Sequence, residues 1–186
     1  MAVAQRMSVE DYEQFVLSGV EGAWELHDGI LVEKLRMGAE HGVIPMLLGH
    51  LLLRQIDRAR YQVVSDLRVR RPEATVFLPD VMIIPAGLFE LFRGRPGTLA
   101  IFSDPLPLVV EVWSPSTGRH DVETRIPVYQ QRGDLEIWRI HPYERTVTSW
   151  VRQDDGSYQE TVYRNGTIQL AALSGVEIAV DDIFDF

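Results

Sequence analysis

The sequence contains no cysteine, which excludes disulfides, thiol nucleophiles and any zinc site built with cysteine ligands. It also lacks an apolar run near the ~18–20 residues of a membrane span, and its N-terminus has neither the basic start nor the apolar block of a secretory signal. The expectation is a cytoplasmic protein with no membrane partner. Lysine is almost missing: Lys34 stands alone among eighteen basic residues, and the rest are arginines. No Gly-x-Ser-x-Gly elbow, Gly-x4-Gly-Lys phosphate loop or His-Glu-x-x-His pair occurs, so the best-marked hydrolase and nucleotide-loop chemistries are poorly supported. A formal charge of −9 argues against coating nucleic acid through bulk charge, but it leaves room for a local basic face. Arginines cluster at Arg54, Arg58, Arg60 and at Arg68, Arg70, Arg71. Their forked head groups suit phosphate and carboxylate partners alike.

What is present reads as one domain over residues 1–186, long enough to remove roughly two-thirds of its unfolded surface from water. Leu108 to Trp113 is an apolar run of strand length that carries Glu111 in its middle. An unpaired carboxylate there would cost several kcal/mol, so a metal ion, an arginine or a proton must compensate it. The plainer reading is an acid paired with one of the many arginines. A second acid in a similar setting adds weight to the metal: Val76–Ile84 is another apolar run, interrupted by Pro79-Asp80. Two acids on neighbouring strands followed by a basic residue suit phosphodiester chemistry.

The remaining chain supplies a frame. Ser8, with an acid three residues on, marks the N-cap of a helix ending near Ser18-Gly19. Asp28-Gly29 between strand-like segments 23–27 and 30–35 signals a hairpin whose first strand carries Glu25. Ile44, Leu47, Leu48, Leu51, Leu52 and Ile56 recur at helical spacing, which predicts a helix from Glu40 to about Arg60 with His41 at its start. Residues 61–70 read as one half-buried strand and 71–74 as a turn. The Asp80 strand follows, then a connection over 86–105 with a short helix at Leu88–Phe92. After the Glu111 strand, residues 116–118 form a turn. Asp121 is a natural N-cap for a helix to Gly133, in which Pro127 is a conflict resolved by a kink or a later start. Leu135–His141 is a strand, residues 145–152 and 158–163 form a second hairpin, and the tail closes the sheet or a subunit contact.

The order helix, three strands, helix, strand from residue 40 to 141 resembles the restriction-endonuclease-like fold of PD-(D/E)xK nucleases. More closely, the chain resembles the Uma-two family of endonucleases in that superfamily. The matching pieces are Trp24-Glu-Leu-His-Asp-Gly29, His41, Pro79-Asp80-Val81, Val110-Glu-Val-Trp-Ser-Pro-Ser-Thr117, Asp121-x3-Arg125-x3-Tyr129 and Glu136-Ile-Trp138 before His141-Pro142. The implied fold class is α/β: a mixed central sheet flanked by helices, preceded by an N-terminal helix and hairpin and followed by a C-terminal β-hairpin.

The resemblance implies a DNA endonuclease that uses Mg²⁺ or Mn²⁺. Asp80, Glu111 and the main-chain carbonyl of Val112 would be its metal ligands. Glu25 would orient water or a second ion, Arg125 would hold the scissile phosphate, and His41 and Tyr129 would be phosphate or supporting contacts. The motif's lysine is replaced: Trp113 stands at its usual place, and in the next helix, where similar proteins move it, the residue is Arg125. Arginine offsets phosphate charge but does not act as a neutral base. A non-catalytic nucleic-acid-binding or regulatory module that kept the fold is the alternative, and a hydrolase acting on nucleotides or another phosphoester is a third reading. By analogy with similar nucleases, self-association as a homodimer or higher is expected.

Overall fold

The computed structural model describes residues 6–34, 38–115 and 121–186. The turn expected at 116–118 and the end of the second hairpin strand at Leu35 lie outside the described residues.

Helix α1 (Val9–Leu17) begins where its cap predicts, with the Asp11 N–H donating to the Ser8 hydroxyl at 3.0 Å. Strands β1 (Trp24–His27) and β2 (Ile30–Glu33) pair antiparallel around Asp28 and Gly29. Both turn residues have positive φ, 47° and 84°, as a two-residue hairpin turn of matching twist requires. Helix α2 (Ala39–Leu53) stops earlier than its apolar period suggests. After Leu53 the Gln55 and Ile56 N–H groups both turn back to the Leu52 carbonyl. Beyond them the Asp57 side chain accepts the Ala59 N–H and its carbonyl those of Arg60 and Tyr61, a local alternative to helix that short acidic side chains offer.

Two stretches that read as single strands are each broken in two. Residues 61–70 split into β3 (Tyr61–Val64) and β4 (Arg68–Arg71) around Asp66 at φ 59°. The apolar run 76–84 splits into β5 (Thr75–Phe77) and β6 (Val81–Pro85). Pro79, which has no N–H for a ladder, sits in that second break, so Asp80 lies at the mouth of β6. Helix α3 (Ala86–Glu90) starts two residues before its expected place, and a short β7 (Ile101–Phe102), unforeseen in the sequence, joins β4 in parallel. Strand β8 (Leu108–Val112) carries Glu111.

The Pro127 conflict resolves by register. Residues Asp121–Arg125 form a π-helical turn, and α4 (Ile126–Arg132) begins after it with Pro127 in its first turn and Gly133 (φ 81°) closing it. The rest is β9 (Glu136–His141), the hairpin β10 (Thr146–Arg152) and β11 (Tyr158–Tyr163), then β12 (Thr167–Gln169), β13 (Glu177–Ala179) and α5 (Val180–Ile183). The tail does not extend the main sheet; β12 and β13 pair with each other.

One sheet runs β2-β1-β5-β4-β7, and a second runs β11-β10-β9-β8-β6-β3. The chain passes between them several times, and two of these crossings are short links, at 65–67 and at 78–80. In the second sheet β3, β6 and β8 are antiparallel neighbours, and β8 and β9 run parallel, giving a mixed sheet flanked by helices. Period-two alternation divides its two faces. Val81, Ile83, Leu108, Val110 and Ile140 pack with Ile44, Leu48 and Leu52 of α2, whereas Met82, Ile84, Val109 and Ile137 pack with Ile126, Val128 and Tyr129 of α4. Glu111 shares the α4 face with Val109. Among the described residues, no helix is long and apolar enough to cross a membrane.

Leu48 is fully buried between α2 and the sheet. Leu48→Ala is expected to lower unfolding stability by about 2–5 kcal/mol, read from urea denaturation. A loss under half a kcal/mol would show that α2 does not cover this face.

Candidate active site

Sheet register creates the site. Val81 of β6 faces Val110 of β8 and Met82 faces Val109; one step further, the Asp80 N–H donates to the Val110 carbonyl at 3.0 Å. Asp80 and Glu111 therefore stand opposite one another on the same side of the sheet. Two carboxylates about 5 Å apart repel by about 3 kcal/mol at an effective dielectric of ~20, and these two are 4% and 1% exposed, too little for water to screen them.

The compensating cation is Lys34, at the end of β2. Its ammonium donates to Asp80 Oδ1 at 2.8 Å, lies 3.4 Å from Glu111 Oε2, and is anchored by the Leu78 carbonyl at 2.5 Å. Arg125 adds a second cation. Its Nη1 donates to Glu111 Oε1 at 2.9 Å and its Nη2 to Glu25 Oε2 at 2.6 Å, so one guanidinium joins the two sheets. The π-helical turn brings Arg125 to this position, and Phe77 lies beneath it, 5.3 Å from ring centroid to Cζ, in the geometry of a cation–π contact.

The remaining contacts fix these groups. Glu25 on β1 accepts the Leu78 N–H at 2.8 Å through Oε1, and its Oε2 lies 2.8 Å from His27 Nε2. Asp80 Oδ2 accepts the Val112 N–H at 2.7 Å and stands 3.5 Å from His41 Nε2. The Tyr129 hydroxyl, one turn after Arg125, donates to Glu111 Oε1. His41 Nδ1 is buried with no hydrogen-bond partner among the described residues.

The electrostatics follow from burial and pairing. Burial alone would raise the carboxyl of Glu25, but Arg125 and the contact with His27 outweigh it and hold the group below its usual value. Asp80 is likewise lowered, because Lys34, His41 and the Val112 N–H outweigh its desolvation. Burial would lower the Lys34 ammonium; Asp80 and Glu111 reverse that and raise it. Burial and the adjacent Glu111 push Tyr129 well above the ordinary tyrosine range, so it remains a neutral donor.

The arrangement therefore brings Asp80, Glu111, Arg125, Glu25, His41 and Tyr129 together. As donors, two carboxylates and a main-chain carbonyl at Val112 suit a hard divalent ion. Yet no group of three or more acids and histidines among the described residues is arranged to hold one; the point where Asp80 and Glu111 converge is filled by the ammonium of Lys34.

The profile of the family Uma2, described as "Putative restriction endonuclease", matches residues 9–181. The chain belongs to the Uma2 family. A crystal structure of a protein described as a putative nuclease from Anabaena variabilis superposes with a TM-score of 0.74 at 18% identity, covering 96% of this chain and 97% of that one. That similarity shows the same fold. No curated protein matches the sequence significantly.

Within this Uma2 chain, Lys34 is the site residue that the sequence reading passed over. The signal was its singularity: a lone lysine placed directly after a strand of a hairpin that also carries Glu25. The arginine cluster at 68–71, in contrast, is engaged internally. Arg68 donates to the Tyr12 hydroxyl, Arg70 to Ser103, and Arg71 to Asp28 and Gln131. Trp113, in the usual place of the motif lysine, stacks on His141 with centroids 4.3 Å apart and meets Tyr143 edge-on at 5.8 Å. These rings sit at the carboxyl ends of the parallel strands β8 and β9.

The lowered carboxyl of Asp80 fixes a pH dependence. A group depressed in the folded state contributes stability above its unfolded value, 3.8, and loses it as pH falls through the folded value. Asp134 and Glu136, raised by burial despite their hydrogen-bond partners, slope the other way, so the informative quantity is a difference between two proteins. The stability of the wild type minus that of Asp80→Asn is expected to be constant at neutral pH and to shrink below about pH 4, as followed by thermal unfolding. A difference that does not change down to pH 2 would mean that Asp80 is not paired.

Proposed function

We propose that the chain is an endonuclease that hydrolyses phosphodiester bonds of DNA with the help of Mg²⁺ or Mn²⁺. The observation that carries this reading is the convergence of two acids from adjacent strands on one cation position, with a guanidinium bound to the same glutamate. Membership of the Uma2 family and the shared nuclease-like fold support it.

Asp80, Glu111 and the Val112 carbonyl would hold the ion, which supplies Lewis-acid polarisation of the phosphate and a water of lowered pKa. The protein's own groups do the rest. Arg125 keeps its charge at any working pH and offers donors for the charge that grows on phosphoryl oxygens. Tyr129 holds Glu111 in one rotamer while leaving Oε2 directed at the cation position. Val112 does the same for Asp80, whose Oδ1 stays free of main-chain contacts. Glu25 keeps Arg125 in place and lies close enough to the cluster to orient a water. The ring cluster of Trp113, His141 and the well-exposed Tyr143 offers faces on which unpaired bases stack.

A second reading has its own observation. Because Lys34 already balances Asp80 and Glu111, the same geometry serves a DNA-binding module that never hydrolyses its ligand. Cleavage of supercoiled and linear DNA with Mn²⁺ separates the two. Endonuclease action is expected in the wild type. Asp80→Asn and Glu111→Gln should abolish it, and Arg125→Met should slow it about 10²–10³-fold. DNA binding without cleavage of any form tested would establish the module instead.

A further inference from the structure

We infer that Lys34 is the resident cation of the site: its ammonium and a divalent ion share one seat between Asp80 and Glu111, and the ammonium must leave when the ion arrives. This rests on the nuclease reading for its purpose, but its geometry stands on its own. Three observations carry it. Lys34 is 5% exposed, so its charge was taken out of water and is held only by groups inside the protein. Those groups are the two acids with metal-ligand chemistry, Asp80 Oδ1 at 2.8 Å and Glu111 Oε2 at 3.4 Å, together with the Leu78 carbonyl. The remaining oxygens of the same acids are engaged elsewhere: Asp80 Oδ2 by Val112 and His41, and Glu111 Oε1 by Arg125 and Tyr129. The oxygens left to bind an ion are therefore the ones Lys34 occupies.

The chemistry of lysine fits such a role better than that of arginine. An ammonium is a compact point charge on a flexible four-carbon stem, able to swing away and to meet a phosphate oxygen, whereas a guanidinium is held by its planar fork. The positive charge of the site is thus divided. Arg125 provides the permanent charge that bridges Glu25 and Glu111, and Lys34, delivered from the β1–β2 hairpin, provides the movable one. In the absence of an ion, the ammonium also prevents Asp80 and Glu111 from repelling each other, so the site is assembled before any metal binds.

Two measurements test this without relying on catalysis. In the first, Mn²⁺ binding to wild type and to Lys34→Met is compared by calorimetry. Removal of the competitor is expected to tighten binding at least tenfold; equal or weaker binding by the variant overturns the inference. The second needs no variant. Because Lys34 is the only lysine, selective ¹³Cε labelling gives one side-chain signal, and Mg²⁺ alone is expected to shift it from its buried position in a saturable titration. An unmoved signal at saturating Mg²⁺ overturns the inference, whether no ion binds or one binds elsewhere. A wild type that cleaves DNA while the variant binds Mn²⁺ no more tightly loses the shared seat but keeps the nuclease. The converse result keeps the shared seat and loses the nuclease.

Discussion

The pairing register of β6 with β8 is the constraint on which the rest depends. Once Val81 faces Val110, Asp80 must face Glu111, and two acids are committed to one side of a sheet whose surroundings are apolar. Like charges directly opposite on neighbouring strands are unfavourable even at a surface. Within a core they are tolerable only if cations are brought to them. The hairpin that carries Lys34 and the π-helical turn that carries Arg125 both answer this demand, one from before the two acids in the sequence and one from after them. Glu25, in turn, balances the half of the Arg125 guanidinium that Glu111 does not engage.

Such a network is an inefficient way to gain stability. Replacing buried ion pairs by apolar side chains of similar volume is often neutral or stabilising, whereas deleting one partner costs about 3–5 kcal/mol. The protein devotes five buried charged side chains to a region where leucines would pack. That choice is intelligible if the cluster must exchange one cation for another, because the replacement of like by like leaves the remaining hydrogen bonds intact.

Much of this was legible in the sequence, and what was missed has identifiable causes. Asp80 and Glu111 stand out because each interrupts an apolar run, and Arg125 and Tyr129 only through the family resemblance, whose Asp-x3-basic-x3-Tyr pattern follows the Glu111 segment. The core helix, both hairpins and the Asp28-Gly29 turn were marked by local chemistry that acts within a few residues. Residues 61–70 mislead because Asp66 falls in step with Arg68 and Arg70 on the polar face of the alternation, so its positive φ leaves no trace in the pattern. The split at Pro79 was more visible, since a proline between two strand segments removes a ladder donor. Lys34 was hidden for a different reason. It lies 46 residues from Asp80 and 77 from Glu111, and only the packing of the two sheets brings them together.

The placement of Pro127 has a mechanical consequence. With no N–H to donate and a ring that crowds the preceding turn, it stops the α-helical ladder of α4 from growing backward through Asp121–Arg125. That segment keeps its wider winding, and Arg125, at the joint between the two windings, keeps the position from which it reaches Glu111 and Glu25. The proline thus acts as a detent: the guanidinium cannot be carried away by rewinding of its own backbone, and whatever adjustment a bound phosphate demands falls to the side-chain torsions.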